Sequence, residues 1–281
     1  MIAQEKASIL VEALPYIRRW SGKTVVIKVG GEVLDDPAGL DSFATDISLL
    51  SYVGMNPIVV HGGGRQISQL MKQLGKEPEF VDGQRVTDQE TMDIVKMVML
   101  GRVNKALVTA INSNGARATG LSGEDGGLLT AEPMSEKLGF VGRISEVSPS
   151  ILQTLAKDEY VPVVAPIAAG IGGSFNINAD VAAAAIAGAV DAAKVVFLTN
   201  VPGLYRDLGD EGSLISEVTC AQLDRLLDEG ILSDGMIPKI SSAVQAIHDG
   251  VPQAHILDGR VTHALLLEIF TDEGVGTMVV S

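Results

Sequence analysis

The sequence predicts an α/β fold, a three-layer αβα sandwich around a central, mostly parallel sheet, with a helix ahead of the first strand. Three observations carry that reading. Short apolar runs alternate with longer helical patterns along the chain. Several of those runs are nearly continuous in Val and Ile, as parallel strands covered by helices on both faces must be. Finally, 281 residues with 46% hydrophobic and 20% charged side chains can bury a substantial core.

Strands are expected at Thr24–Val29, Pro57–Val60, Val161–Ala165, Lys194–Thr199, Ala254–Leu257 and Thr277–Val280. Before them, Ala7, Leu10, Val11, Leu14 and Ile17 line one face of an amphipathic helix that Pro15 should kink. No βαβ unit requires this helix, which leaves it for contact between subunits or for docking onto its own domain. A second helix opens at Thr87, whose spacing to Glu90 is a capping-box signature. Met92, Val95, Met99, Val103, Leu107 and Ala110 follow at steps of three or four, and Ile94, Val98 and Leu100 widen the apolar face. Asp180 to Val190 is an alanine-rich helix able to pack close beneath a strand. A boundary is expected near residue 190, dividing the chain into lobes 1–190 and 191–281.

Composition excludes several classes of function. A net charge of −14 and a pI near 4.6 oppose binding to nucleic acid or to an anionic membrane. Cys220 is the only cysteine, so an intrachain disulfide or a cysteine metal cluster is impossible. His61, His248, His255 and His263 show no zinc-ligand spacing, and no metal held by protein ligands alone is expected. No run approaches the roughly 18 apolar residues of a membrane span. Met1 to Lys6 lacks a signal core, so a cytoplasmic location is expected.

Four segments carry chemistry. In Thr24-Val-Val-Ile-Lys28-Val-Gly30-Gly31, a lysine inside a strand buried on both faces needs an anion to offset its desolvation. Gly30 and Gly31 then bring backbone N–H groups close to a ligand. The alternative is a strand-end lysine reaching solvent. In Ile58-Val-Val-His61-Gly62-Gly63-Gly64, a second strand runs into glycines and a helix from about Gln66, which suits an anionic group. Neither loop has P-loop spacing or G-x-G-x-x-G, so a triphosphate fits better than a dinucleotide. In Phe175-Asn176-Ile-Asn178-Ala-Asp180, one of Asn178 and Asp180 can cap the following helix. That leaves Asn176 for a polar substrate and Asp180 for orienting lysines. In Gly235-Met-Ile-Pro238-Lys239, a lysine stands at a helix start, where a solvated surface lysine is the plain alternative. Phosphoryl transfer needs positive charge on both sides of the moving group, which pairs Lys239 with Lys28. Arg85, in Gly83-Gln-Arg85-Val-Thr87, can grip a carboxylate with its planar fork or form a surface ion pair.

Together KVGG, VHGGG, Gly83-Gln-Arg85-Val-Thr87, GLSG, FNINAD, LTNVPGLY, GMIPK and LLEIFTDEGVGTM resemble the amino acid kinase family, in particular its members that act on N-acetyl-L-glutamate. The resemblance runs from the N-terminal helix to Gly274-Val-Gly276-Thr-Met. It implies the amino acid kinase fold, with Lys28 and Lys239 on the transferring phosphoryl group and Asp180 holding both lysines. Gly30, Gly31, Gly63 and Gly64 would serve the phosphates, and Gly63, Gly64, Arg85 and Asn176 the acetylglutamate. ATP is the implied co-substrate, accompanied by Mg2+ carried mainly on phosphate oxygens and water. The acyl amino acid would lie in the N-terminal lobe and the nucleotide in the C-terminal lobe. The segment Leu14-Pro15-Tyr16-Ile17 further resembles an arginine-inhibited branch. In that branch the N-terminal helices interlace dimers into a hexamer, a trimer of dimers. The implied arginine residues are Tyr16, His255, Glu268, Gly274 and Gly276, for which ordinary C-terminal packing is the alternative. Glu32, Arg65 and Glu124 depart from the common asparagine, proline and lysine of relatives, which leaves nucleotide contacts open. Two other readings stand beside this one: a family kinase for another acid or carbamate, and a non-catalytic arginine-sensing scaffold.

Overall fold

A computed structural model describes residues 3–206, 210–228, 236–271 and 274–281. Its frame is an eight-stranded sheet. The strand order is Glu217–Thr219, Gly276–Val280, Ala254–Asp258, Lys194–Thr199, Thr24–Val29, Asn56–His61, Tyr160–Ala165, Arg117–Ser122. Neighbours are parallel except Ala254–Asp258 against Gly276–Val280. Each of the six expected strands is present within one residue of its expected ends. Side chains alternate across the sheet. Val25, Ile27 and Val29 enter one core with Phe43, Ile47 and Leu107. Val26 enters the other with Ala183, Ala187 and Ala243. Two cores flank one sheet, which is the expected three-layer sandwich.

The central strand Thr24–Val29 lies between its successor Asn56–His61 and the much later Lys194–Thr199. Chain direction around the sheet reverses there, and ligands of open α/β sheets bind beyond the carboxyl ends at such a point. Lys28, Gly30 and Gly31 stand at that end. The sheet also runs unbroken across residue 190.

Unforeseen in the sequence are the edge strands Arg117–Ser122 and Glu217–Thr219 and a second, four-stranded sheet. Its order is Gly173–Asn176, Ile167–Gly170, Leu129–Pro133, Gly142–Val147. The N-terminal helix Ala3–Trp20 is one element with Pro15 inside it. The alanine-rich helix, Ala179–Ala189, is capped by Asn178, whose side chain accepts from Asp180 N at 2.8 Å and Val181 N at 3.3 Å.

The helix expected from Thr87 starts instead at Gln89, capped by Asp88, which accepts from Thr91 N at 2.8 Å. Aspartate caps at least as well as threonine. Thr87 is buried, with its hydroxyl donating to Arg85 O at 2.8 Å. The same helix contains a π-helical stretch, Met97–Val103, before Asn104–Ser113. Each step of four residues drifts about 40° around a helix of 3.6 residues per turn. The wide turns absorb that drift, so Met99, Val103, Leu107 and Ile111 are all buried. Ile111 therefore takes the core position expected of Ala110, which is only partly buried.

The wide turns also deliver Asn104 to a buried position beneath His61. Asn104 Nδ2 donates to Val163 O at 2.8 Å and lies 3.1 Å from His61 Nε2. His61 Nδ1 lies 3.0 Å from Gly62 O. Burial pulls the His61 pKa down to about 4, so the ring is neutral at physiological pH.

Two predictions test this frame. Ile111→Ala should cost roughly 2–5 kcal/mol in chemical denaturation, and Ala110→Ser much less. At His61 the unfolded chain binds a proton below about 6.5 and the folded chain only below about 4. Stability should thus fall by about 3 kcal/mol as pH drops through that window. This part of the slope should be absent from His61→Gln.

Candidate active site

Strand parity puts Lys28 on the same face as Val26, over which the helix Ala179–Ala189 packs. Asp180, in the first turn of that helix, meets the lysine: Lys28 Nζ lies 2.8 Å from Asp180 Oδ1, with both side chains nearly buried. Alanines let the helix come close to the strand, and the Asn178 cap fixes where it begins. The lysine tip reaches two cavities.

The first, about 240 Å³, is lined by Lys28, Gly63, Gly64, Arg85, Asn176 and Asp180 among others. Arg85 is 7% exposed and ends the hairpin of Phe80–Val81 with Gln84–Arg85, paired with Phe80. Its Nη2 donates to Gly64 O and to Ser68 Oγ, both at 2.8 Å, and the guanidinium stacks 4.7 Å from the Phe80 ring centroid. Nη1 lies 3.3 Å from Met71 Sδ, so both arms of the fork brace the helix Gly64–Gln73 beside the cavity. Asn176 Nδ2 donates to Thr87 Oγ1 at 3.4 Å, tying the second sheet to the Arg85 segment. Gly63 has extended backbone that any residue could adopt. Glycine is needed there for space, because a Cβ would collide with Met99 Sδ.

The second cavity, about 170 Å³, is lined by Lys28, Gly30, Gly31, Val33, Leu198, Thr199, Asn200 and Lys239. Gly31 opens the short helix Gly31–Asp35, and Lys239 sits in the first turn of Ile237–His248. The two expected lysines thus border one space, while among the described residues Asp180 has its ion pair with Lys28 alone. Gly235 lies outside the described residues. Thr199 and Asn200, at the end of the strand Lys194–Thr199, belong to the motif LTNVPGLY but were given no site role from the sequence. No group of three or more His, Cys, Asp or Glu able to hold a metal stands among the described residues.

Two of the three departures, Arg65 and Glu124, settle into structural contacts. Arg65 Nε lies 3.3 Å from Asp35 Oδ2, and Gln66 Nε2 donates to Asp35 Oδ1 at 2.7 Å. Both brace the glycine helix Gly31–Asp35. Glu124 accepts from Ser174 and stands 3.9 Å from Lys96 Nζ, outside both cavities' linings. Of the Glu32 side chain nothing is described.

A third cavity, about 320 Å³, lies away from these two and gathers Tyr16, His255, Glu268, Gly274 and Gly276. Lys194, missed in the sequence, joins them: its Nζ lies 3.0 Å from Glu268 Oε1 and 4.9 Å from the Trp20 ring centroid. A lysine opening a fully buried strand was the signal for it. His255 Nδ1 lies 2.6 Å from the same Glu268 oxygen, and its buried Nε2 has no hydrogen-bond partner among the described residues. Burial lowers the Lys194 and His255 pKa values. Burial alone would raise Glu268, but His255 and Lys194 outweigh it and hold its carboxyl below the usual range. Burial thus favours the uncharged imidazole of His255, while its contacts favour the ionised carboxylate of Glu268.

Known proteins are similar to this chain in sequence and in fold. The chain is 50% identical over 288 residues to the acetylglutamate kinase of Methylobacillus flagellatus, covering 99% of this chain and 97% of that one. It is 50% identical over 284 residues to the acetylglutamate kinase of Syntrophomonas wolfei, covering 99% and 98%. Among solved structures, the N-acetylglutamate synthase of Neisseria gonorrhoeae with coenzyme A and N-acetyl-glutamate superposes with a TM-score of 0.87 at 28% identity. That match covers 98% of this chain and 63% of the synthase chain, so this chain spans less than two thirds of that protein. Carbamate kinase from Giardia shares the fold, with a TM-score of 0.68 at 15% identity. Residues 23–258, which hold the two glycine loops, Lys28, Asp180 and Lys239, match the amino acid kinase family, and the chain belongs to that family.

Proposed function

We propose that this chain transfers the γ-phosphoryl group of ATP to the γ-carboxylate of N-acetyl-L-glutamate, giving an acyl phosphate and ADP on the way to arginine. The observation that carries the reading is Lys28, buried at the carboxyl end of the central strand and lining two cavities at once. One cavity holds Arg85 and Asn176, groups suited to an acyl amino acid. The other holds Gly30, Gly31 and Lys239, groups suited to phosphates. The near-full-length relatives named acetylglutamate kinase support the choice of acceptor. The substrate lobe is then formed from residues 1–190 and the nucleotide lobe largely from 191–281.

A carboxylate is already a nucleophile at neutral pH, so no general base is required. Catalysis is positioning together with charge stabilisation. Lys28 meets the transferring group between the cavities and Lys239 meets it from the nucleotide side. Asp180 holds the Lys28 ammonium in place. Gly31, Gly63 and Gly64 offer backbone N–H groups to phosphate oxygens, and Arg85 and Asn176 take the acetylglutamate carboxylate. Magnesium enters as part of the nucleotide substrate, carried on phosphate oxygens. No helix among the described residues is long and apolar enough to cross a membrane, and the reaction is assigned to the cytoplasm.

The third cavity is assigned to arginine as feedback inhibitor. A guanidinium would donate to the unpartnered His255 Nε2 and to Glu268 Oε2, the oxygen that faces Gly274. The Neisseria synthase, solved with coenzyme A and L-arginine and 29% identical to this chain, supports that assignment. The exposed Ile9, Leu10, Val11 and Leu14 of the N-terminal helix support a hexamer in which these helices interlace dimers.

In steady-state assays that trap the acyl phosphate, Lys239→Ala should lower kcat by roughly 10²–10³-fold with little change in KM for acetylglutamate. Arg85→Ala should instead raise that KM roughly tenfold or more. An unchanged kcat in the lysine variant would remove Lys239 from the mechanism. Deleting residues 1–14 keeps Tyr16, Arg19 and Trp20 while removing the exposed apolar face. The truncated chain should leave the hexamer in light scattering and respond more weakly to arginine, and a persistent hexamer would overturn the interlaced assembly.

A further inference from the structure

His61 touches neither cavity, yet the two ends of its ring connect the core to the glycine loop. It is fully buried. Val163 O can only accept a hydrogen bond, so the Asn104 amide must turn its NH₂ toward that carbonyl at 2.8 Å. The same NH₂ lies 3.1 Å from His61 Nε2, which must therefore be the unprotonated acceptor. In a neutral ring the proton then sits on Nδ1, 3.0 Å from Gly62 O, and donates to it.

The Gly62 carbonyl belongs to the same planar peptide as the Gly63 N–H, and in a trans peptide the two point in opposite directions. Gly62 N donates to Val29 O at 2.9 Å, which fixes the preceding peptide as well. With the carbonyl held toward the buried imidazole, the Gly63 N–H is turned away from it, toward the cavity that Gly63 lines. The π-helical stretch supplies two further parts of this arrangement. It sets Met99 against Gly63 and delivers Asn104 to His61.

We propose that His61, its tautomer set by Asn104, is a positioning residue that aims the Gly63 N–H at the phosphoryl group during transfer. This deepens the kinase reading above and rests on it. The ring takes no proton in the reaction. Its contribution is to keep one donor aligned without cost of reorganisation at the moment of transfer.

Two substitutions separate the ring's two ends. The Asn side chain places an N–H near the position of Nδ1, whereas the Gln side chain reaches only toward Nε2. His61→Gln should keep the Asn104 contact, lose the Gly62 bond and lower kcat roughly tenfold to a hundredfold, with the acetylglutamate KM changed less than about threefold. His61→Asn should lose the Asn104 contact, keep the Gly62 bond and recover most of that kcat. Equal losses in both variants, following their melting temperatures, would make His61 merely structural and overturn the proposal, as would full activity in His61→Gln. Nitrogen-15 NMR of the histidine rings in the unaltered protein is a check that needs no variant to fold. The proposal requires His61 as the Nδ1–H tautomer from pH 6 to 8, and an Nε2–H or doubly protonated ring would end it. Turnover of acetylglutamate by the unaltered chain is measured first. Its absence would count against the proposed reaction, while the ring tautomer would still decide the loop geometry.

Discussion

The buried ion pair between Lys28 and Asp180 is the constraint around which the rest of the site is arranged. A lysine inside a central strand would cost several kcal/mol in desolvation if left alone. Asp180, 2.8 Å from the ammonium, makes the charge tolerable and at the same time fixes its position. Each requirement of that contact has a visible cause. Strand alternation puts Lys28 on the side of the alanine-rich helix, small side chains let the helix approach, and the Asn178 cap sets its first turn. A carboxylate in that first turn is further favoured by the helix dipole. The amine is thus preorganised by the same interaction that allows it to be buried.

Positive charge alone would not select a phosphoryl group. The proposed transfer needs backbone donors on both sides of Lys28, and glycines stand in both neighbouring connections. Gly63 leaves the space that Met99 fills, and a Cβ at Gly31 would lie 3.3 Å from Gln66 Oε1. Both loops depend on polar side chains behind them, of which Gln66, His61 and Asn104 are buried. Gln66 and Arg65 hold Asp35 behind the first, and His61 and Asn104 stand behind the second. Arg85 adds a third brace through Gly64 O. A rigid glycine loop is therefore a property of the side chains beneath it, not of the glycines themselves.

What was legible in the sequence follows from this division. Strands buried on both faces are written as continuous Val and Ile, and Thr24–Val29 and Lys194–Thr199 have the expected ends. The edge strand Arg117–Ser122 carries Arg, Thr, Gly and Ser and has no such pattern. The four-stranded second sheet was hidden for a related reason, because its exposed positions and short strands give little periodicity. The glycine loops, Lys28, Arg85, Asn176, Asp180 and Lys239 stood out because each is an unusual residue for its surroundings, and the fold brings them to the linings of two cavities. The braces did not, since Asn104 and Gln66 sit in helices where a polar residue is ordinary. Only the π-helical register turns Asn104 inward, and a helix of constant period cannot foretell it. The same register explains why Ile111, not Ala110, completes the core.

The third cavity and the second, which holds Lys239, share one physical connection. The strand Lys194–Thr199 begins with a lysine in the one and ends with Leu198 and Thr199 in the other. Six residues of parallel strand span about 20 Å, and this strand is hydrogen-bonded on both sides. Such a strand does not stretch, so a ligand that redistributes the bonds of Glu268 can act only by moving larger pieces. The helix Ala264–Phe270, which carries Glu268, is the piece available. It is pinned at its far end, where His263 Nδ1 meets the buried Asp46 at 2.6 Å on the helix Pro37–Tyr52. That helix follows directly on Gly31–Asp35, whose first residue lines the second cavity. An effector that pulled Glu268 from Lys194 would therefore load a lever running from Glu268 through His263 and Asp46 to the first glycine loop. Inhibition by this route would act on the nucleotide side of Lys28 and leave Arg85 and Asn176 undisturbed.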